Sequence, residues 1–81
     1  MQLGTRWTLG APAPERLPQT VRDAIAAVDA EVLALSSADF DPSGWRWTLT
    51  WLEGRPIAEL DDGTVVTYDA VADEAVVTQQ N

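Results

Sequence analysis

Trp45-Arg46-Trp47-Thr48-Leu49-Thr50-Trp51-Leu52 is the stretch that decides the fold. Alternation sends Trp45, Trp47, Leu49 and Trp51 to one side and Arg46, Thr48, Thr50 and Leu52 to the other, the period-two pattern of a strand. Aromatic and β-branched side chains fit a pleated surface and support that reading. A strand so apolar on one side needs a covering layer.

That cover is expected upstream, in a helix from about Pro18 to Leu35. Val21, Ala24, Ile25, Val28, Val32 and Leu35 recur there at helical spacing, with Arg22, Asp29 and Glu31 off the stripe. The alanines raise helix propensity, and the whole segment makes a rod of roughly 27 Å. Residues 2–9 alternate as an earlier strand, with Leu3, Thr5, Trp7 and Leu9 on one face. Between strand and helix, residues 10–18 hold three of the five prolines. Proline lacks an amide donor and fixes φ, so this stretch is an extended connector that ends at a helix start. Residues 36–44 follow the helix as loop.

Downstream of the tryptophan strand, Glu53-Gly54-Arg55-Pro56 marks a turn and Ile57 to Leu60 a short strand. Asp61-Asp62-Gly63 is a hairpin signal, Thr64 to Asp69 another strand, and Ala75 to Thr78 a fifth. The expected architecture is α+β, in the order β-α-β-β-β, with a sheet of four strands, or of five where Ala75 to Thr78 adds a terminal strand. One amphipathic helix covers one face of a mostly antiparallel sheet, and residues 1–81 form one domain. A whole helix separates the first two strands, so a parallel pair joined by a right-handed crossover is expected there. Residues 79–81 should fray.

Gly4-Thr5-Arg6-Trp7-Thr8-Leu9 and Gly44-Trp45-Arg46-Trp47-Thr48-Leu49 share five of six residues. The match stops on both sides, so it reads as two strands in similar surroundings rather than as a duplication.

Composition closes off much of chemistry. The 81 residues contain no cysteine, no histidine and no lysine. Disulfides, thiolate catalysis, common structural zinc sites, imidazole bases, Schiff bases and a phosphate-loop lysine are thereby removed. Thirteen acids against five arginines give a net charge of −8, which repels phosphate backbone and anionic membrane surfaces. No apolar run approaches the ~20 residues of a membrane span, and the first residues do not resemble a signal peptide. A cytoplasmic protein is expected, without nucleic-acid or membrane partners.

Three clusters invite a chemical reading. Asp39-Phe40-Asp41-Pro42-Ser43-Gly44 matches the opening of a calcium loop, but Arg46 and Thr50 stand where the aliphatic anchor and the bidentate glutamate belong. A capped Asp-Pro-Ser-Gly turn explains the same residues, and no metal is expected. Asp61 and Asp62, with Glu53 and Glu59, suggest a two-carboxylate hydrolase, which needs a cleft and one raised pKa. Adjacent aspartates before glycine more simply build a hairpin. The four tryptophans suggest a stacking surface for bases, sugars or proline-rich peptides. Arg6 and Arg46 alternate to the opposite face, so the tryptophans are expected to form the core beneath the helix. No catalytic set and no cofactor follow.

The reverse face is the less obvious candidate. Arg46, Thr48, Thr50 and Leu52 lie there, and loop parity across residues 53–56 adds Ile57 and Glu59. The 61–63 hairpin leaves two registers open. A two-residue turn adds Val66 and Tyr68 to this face, and a three-residue loop with a glycine bulge adds Val65 and Thr67. A mixed apolar face with arginine and tyrosine suits a protein interface, for which Arg46, Leu52, Ile57 and Tyr68 are the candidate residues. The expected function is a non-enzymatic protein–protein interaction module, homodimeric through sheet surface or edge. The other class considered is an acidic inhibitor or immunity-type protein that caps a basic site on a nuclease or toxin.

Overall fold

The computed structural model describes residues 5–79. Within them, β1 (Thr5–Thr8), α1 (Gln19–Ala34), β2 (Arg46–Leu52), β3 (Arg55–Leu60), β4 (Thr64–Asp69) and β5 (Glu74–Gln79) follow in chain order. The five strands form one sheet in the order β1-β2-β3-β4-β5, and α1 covers one face. The α+β architecture is the expected one, with the fifth strand present. Leu3, Gln80 and Asn81 lie outside the described residues.

One expectation is overturned. β1 and β2 are antiparallel, with Trp7 opposite Trp47 and Arg6 opposite Thr48. The reason lies in the proline-rich connector. Gly10 packs near Leu33 late in the helix, and Gly10 to Ala13 line a groove against Arg22, Ile25, Ala26 and Leu33. The connector therefore runs back along the helix before the helix begins. Turns at residues 8–11 and 14–17 bracket the connector, which carries the chain to the far end of the helix, and the sixteen helical residues bring it back over about 24 Å. The chain returns to where β1 ended, and the Leu9 amide donates to the Trp45 carbonyl at 3.0 Å. A crossover rule assumes that the helix is the only long leg; here there are two.

The same pairing gives the sequence echo a structural meaning. Its two copies are neighbouring antiparallel strands centred on Trp7 and Trp47. Their rings stack with centroids 6.2 Å apart and an interplanar angle of 13°. Similar sheet environments account for the likeness.

Helix α1 begins after Pro18, whose carbonyl accepts from the Val21 and Arg22 amides. Its deeply buried line is Val21, Ile25 and Asp29, spaced by four and continuing the buried Leu17 that precedes the helix. Val28 and Val32 are only partly buried, and Leu35 is 69% exposed at the helix end. Asp29, read from the sequence as lying off the stripe, is on it. Under the helix lie Trp47, Leu49, Ala58, Leu60 and Val66.

Two hairpins fix the register. Leu52 pairs with Arg55 across a two-residue loop, and positive φ at Glu53 (52°) and Gly54 (80°) suits a primed turn that follows the sheet's twist. The next loop has three residues, Asp61 to Gly63, with Gly63 at φ 95° and its amide bonded to the Leu60 carbonyl. This selects the second of the two registers left open by the sequence.

Candidate interaction surface

Pairing settles which residues share the face opposite the helix. Across the sheet these are Arg6 and Thr8; Arg46, Thr48, Thr50 and Leu52; Arg55, Ile57 and Glu59; Val65, Thr67 and Asp69; and Glu74, Val76 and Thr78. Among the described residues no other element covers this face. Arg46, Leu52 and Ile57 all lie on it, with Leu52 62% exposed and Ile57 partly buried between Thr50 and Thr67, but Arg46 and Leu52 stand at opposite ends of β2, about 20 Å apart.

Tyr68 is not on it. Ala58 pairs with Val66, so Val66 and Tyr68 point to the helix side, and Tyr68 packs against the core. The three-residue loop shifts parity by one, which exchanges every side chain of β4 between faces. Tyr68 leaves the candidate set, and Val65 and Thr67 take its place. The Tyr68 hydroxyl donates to Asp73 Oδ1 at 2.6 Å, and that bond holds the phenol's pKa above its ordinary value.

Charge is divided unevenly over the molecule. On the open face Arg6, Arg46 and Arg55 balance Glu59, Asp69 and Glu74. Those strands carry no charged residue on their helix side. Three of the five arginines and three of the thirteen acids are thus accounted for, leaving ten acids and two arginines in the helix, loops and turns. The entire net charge of −8 lies off the open face. Alternation and loop parity mark the face but not this segregation, which needs β4 and β5 in register.

The tryptophans form core and rim, as expected. Trp47 is fully buried, Trp7 and Trp45 pack against the core, and Trp51 is 39% exposed. Phe40 meets Trp45 edge-on at 5.4 Å. Trp47 Nε1 donates to Asp29 Oδ1 at 2.7 Å, the one buried side-chain pair that ties the helix to the sheet by a hydrogen bond among the described residues. Burial pushes the Asp29 carboxyl above its ordinary pKa, while the Trp47 and Gly10 donors pull the other way. Only the indole could have pointed to Asp29 from sequence, since a buried Trp N–H seeks an acceptor.

The acidic clusters are engaged in turns. Asp41 Oδ1 accepts from the Ser43 amide at 3.0 Å and caps the single 3-10 turn Pro42–Gly44, and this bond lowers its pKa. No group of three His, Cys, Asp or Glu is placed to hold a metal among the described residues. Millimolar calcium should therefore leave the melting temperature unchanged. Binding to the folded state alone adds about 2.7 kcal/mol at a hundredfold excess over Kd. An EDTA-reversible rise of several degrees would restore the calcium-loop reading. Asp62 Oδ1 accepts from the Thr64 amide within the β3–β4 hairpin, and Asp61 Oδ2 accepts from the Arg46 amide, which ties that hairpin to the start of β2. Glu53 sits at the other end of β3, too far away to form a catalytic pair with them.

Two shallow hollows lie among the described residues. One, of about 420 Å³, opens where β3 and β4 part beyond Ile57 and Thr67, with Arg55, Tyr68 and Asp69 on its walls. The other, of about 330 Å³, is the alanine-lined groove between connector and helix. A chain without His, Cys or Lys can assemble no nucleophile activated by those groups in either. No helix is long and apolar enough to cross a membrane among the described residues. Comparison with known proteins finds no matching family model, no matching curated protein and no matching solved structure.

Proposed function

We propose that this chain is a non-enzymatic protein–protein interaction module of the cytoplasm that works as a homodimer through the open face of its sheet. One observation carries the reading: the open face is neutral while every other surface shares a charge of −8. Two copies meeting elsewhere bring like charges together, a juxtaposition that opposes association. On the open face the charges cancel, and Leu52, Val76 and the partly buried Ile57 supply apolar contact between the threonines. Five strands about 4.8 Å apart and some 20 Å long present roughly 24 by 20 Å. Two such faces in contact approach the ~1,200 Å² lower bound of stable interfaces, which points to a micromolar rather than a nanomolar dimer.

Leu52→Asp tests this. In the monomer the new carboxylate meets water, since Leu52 is 62% exposed, and the fold should persist. In the dimer it is desolvated, which should weaken association by about 2–5 kcal/mol. Sedimentation should show the variant monomeric with an unchanged melt. A variant that associates like the parent excludes the open face as the contact.

The acid-rich helix and loops favour a second reading, an inhibitor that caps a basic site on a nuclease or toxin. Its mark would be capture of a basic protein whose binding Leu52→Asp leaves intact and high salt weakens.

A further inference from the structure

The central strand carries the information that orients such a dimer. β3 has two strands on either side and turns Arg55, Ile57 and Glu59 toward the open face. Successive members of this series stand about 6.6 Å apart along the strand. It reads cation, apolar, anion. Reversed end for end, it becomes its own complement.

Resting on the self-association proposed above, we infer that two copies stack open face on open face about a two-fold axis that crosses the strands at Ile57. Arg55 of each copy then meets Glu59 of the other. The competing two-fold axis, parallel to the strands, places Arg55 on Arg55 and Glu59 on Glu59. Charge order on β3 thus selects one of the two aligned ways to stack a pair of sheets.

The neighbouring strands agree. Thr50, Thr67 and Val76 lie level with Ile57 by register and fall along the axis, where each meets its own copy without charge. Leu52, Asp69 and Glu74 lie at the Arg55 end, and Thr48, Val65 and Thr78 lie level with Glu59. Crossing the axis brings the first group over the second, so Asp69 and Glu74 meet no acid. Sheets packed face to face stand ~10 Å apart, within reach of an arginine and a glutamate extended toward each other.

Charge exchange tests the geometry. Arg55 and Glu59 are both exposed, so Arg55→Glu and Glu59→Arg should melt like the parent. Each single variant sets like charges against one another twice per dimer. Sedimentation from low to high micromolar should show the dissociation constant raised by about tenfold or more. The double variant Arg55→Glu/Glu59→Arg restores opposite charges at both contacts and should dimerise close to the parent. A parent that dimerises while single variants behave like it, or while the double variant stays weak, overturns the stacking but leaves self-association standing. A parent that is monomeric throughout the range overturns self-association and the stacking with it.

Discussion

Trp47→Ala should leave the chain unfolded at room temperature. Trp47 is fully buried, and removing a tryptophan from a core costs about 3–5 kcal/mol through lost transfer energy and the cavity left behind. Its ring also stacks on Trp7, and its indole N–H partners a buried carboxylate. Orphaning Asp29 adds about 1–3 kcal/mol. A chain of 81 residues has a total stability of about 4–12 kcal/mol, so the loss takes most or all of it. Far-UV circular dichroism and a thermal melt decide the outcome. Trp47→Phe is the graded control, because it keeps a ring in the stack and loses only the donor and some bulk. It should melt cooperatively between the parent and the unfolded variant. A Trp47→Ala protein with a cooperative melt within a few degrees of the parent would show that the helix does not rely on this contact.

That side chain also shows what a sequence reveals and what it hides. Alternation in residues 45–52 identified the buried face of β2, because period two is imposed by the backbone. Hairpin parity then carried Ile57 and Glu59 onto the open face correctly, since two- and four-residue loops preserve it. The face of Tyr68 was not legible. It turns on whether Gly63 alone takes a positive φ after two loop residues, a choice separated by little local energy and settled by burial of Val66. The direction of β1 was hidden for another reason. A connector is read as a loop without direction, whereas this one lies along the helix and cancels its length. Charge segregation emerges only when five strands are in register, which no local pattern in the chain displays.

Asp29→Ala should destabilise the domain by about 1–3 kcal/mol, because it leaves the Trp47 indole as a buried donor without an acceptor. Asp29→Asn should cost far less, since its amide oxygen still accepts from the indole, and comparison with the parent across pH isolates the charge. Burial raises the folded-state pKa of Asp29 above 3.8, outweighing the two donors. The folded chain therefore holds this proton more tightly than the unfolded chain does. Stability from the protonated form is fully present below the unfolded value and is lost as pH rises through the folded one. Asparagine does not titrate. Its melting temperature relative to the parent should be highest near neutral pH and should fall as pH drops toward 3.8 and below. The other twelve acids are common to both proteins, so their titration largely cancels in the difference. A difference that stays flat from pH 7 to pH 3, or one that grows as pH falls, would show that the Asp29 carboxylate is not penalised by burial. The hydrogen bond from Trp47 would then match or outweigh burial, so the contact between helix and sheet would rest on the carboxylate more heavily and Asp29→Ala would still leave the buried indole without an acceptor.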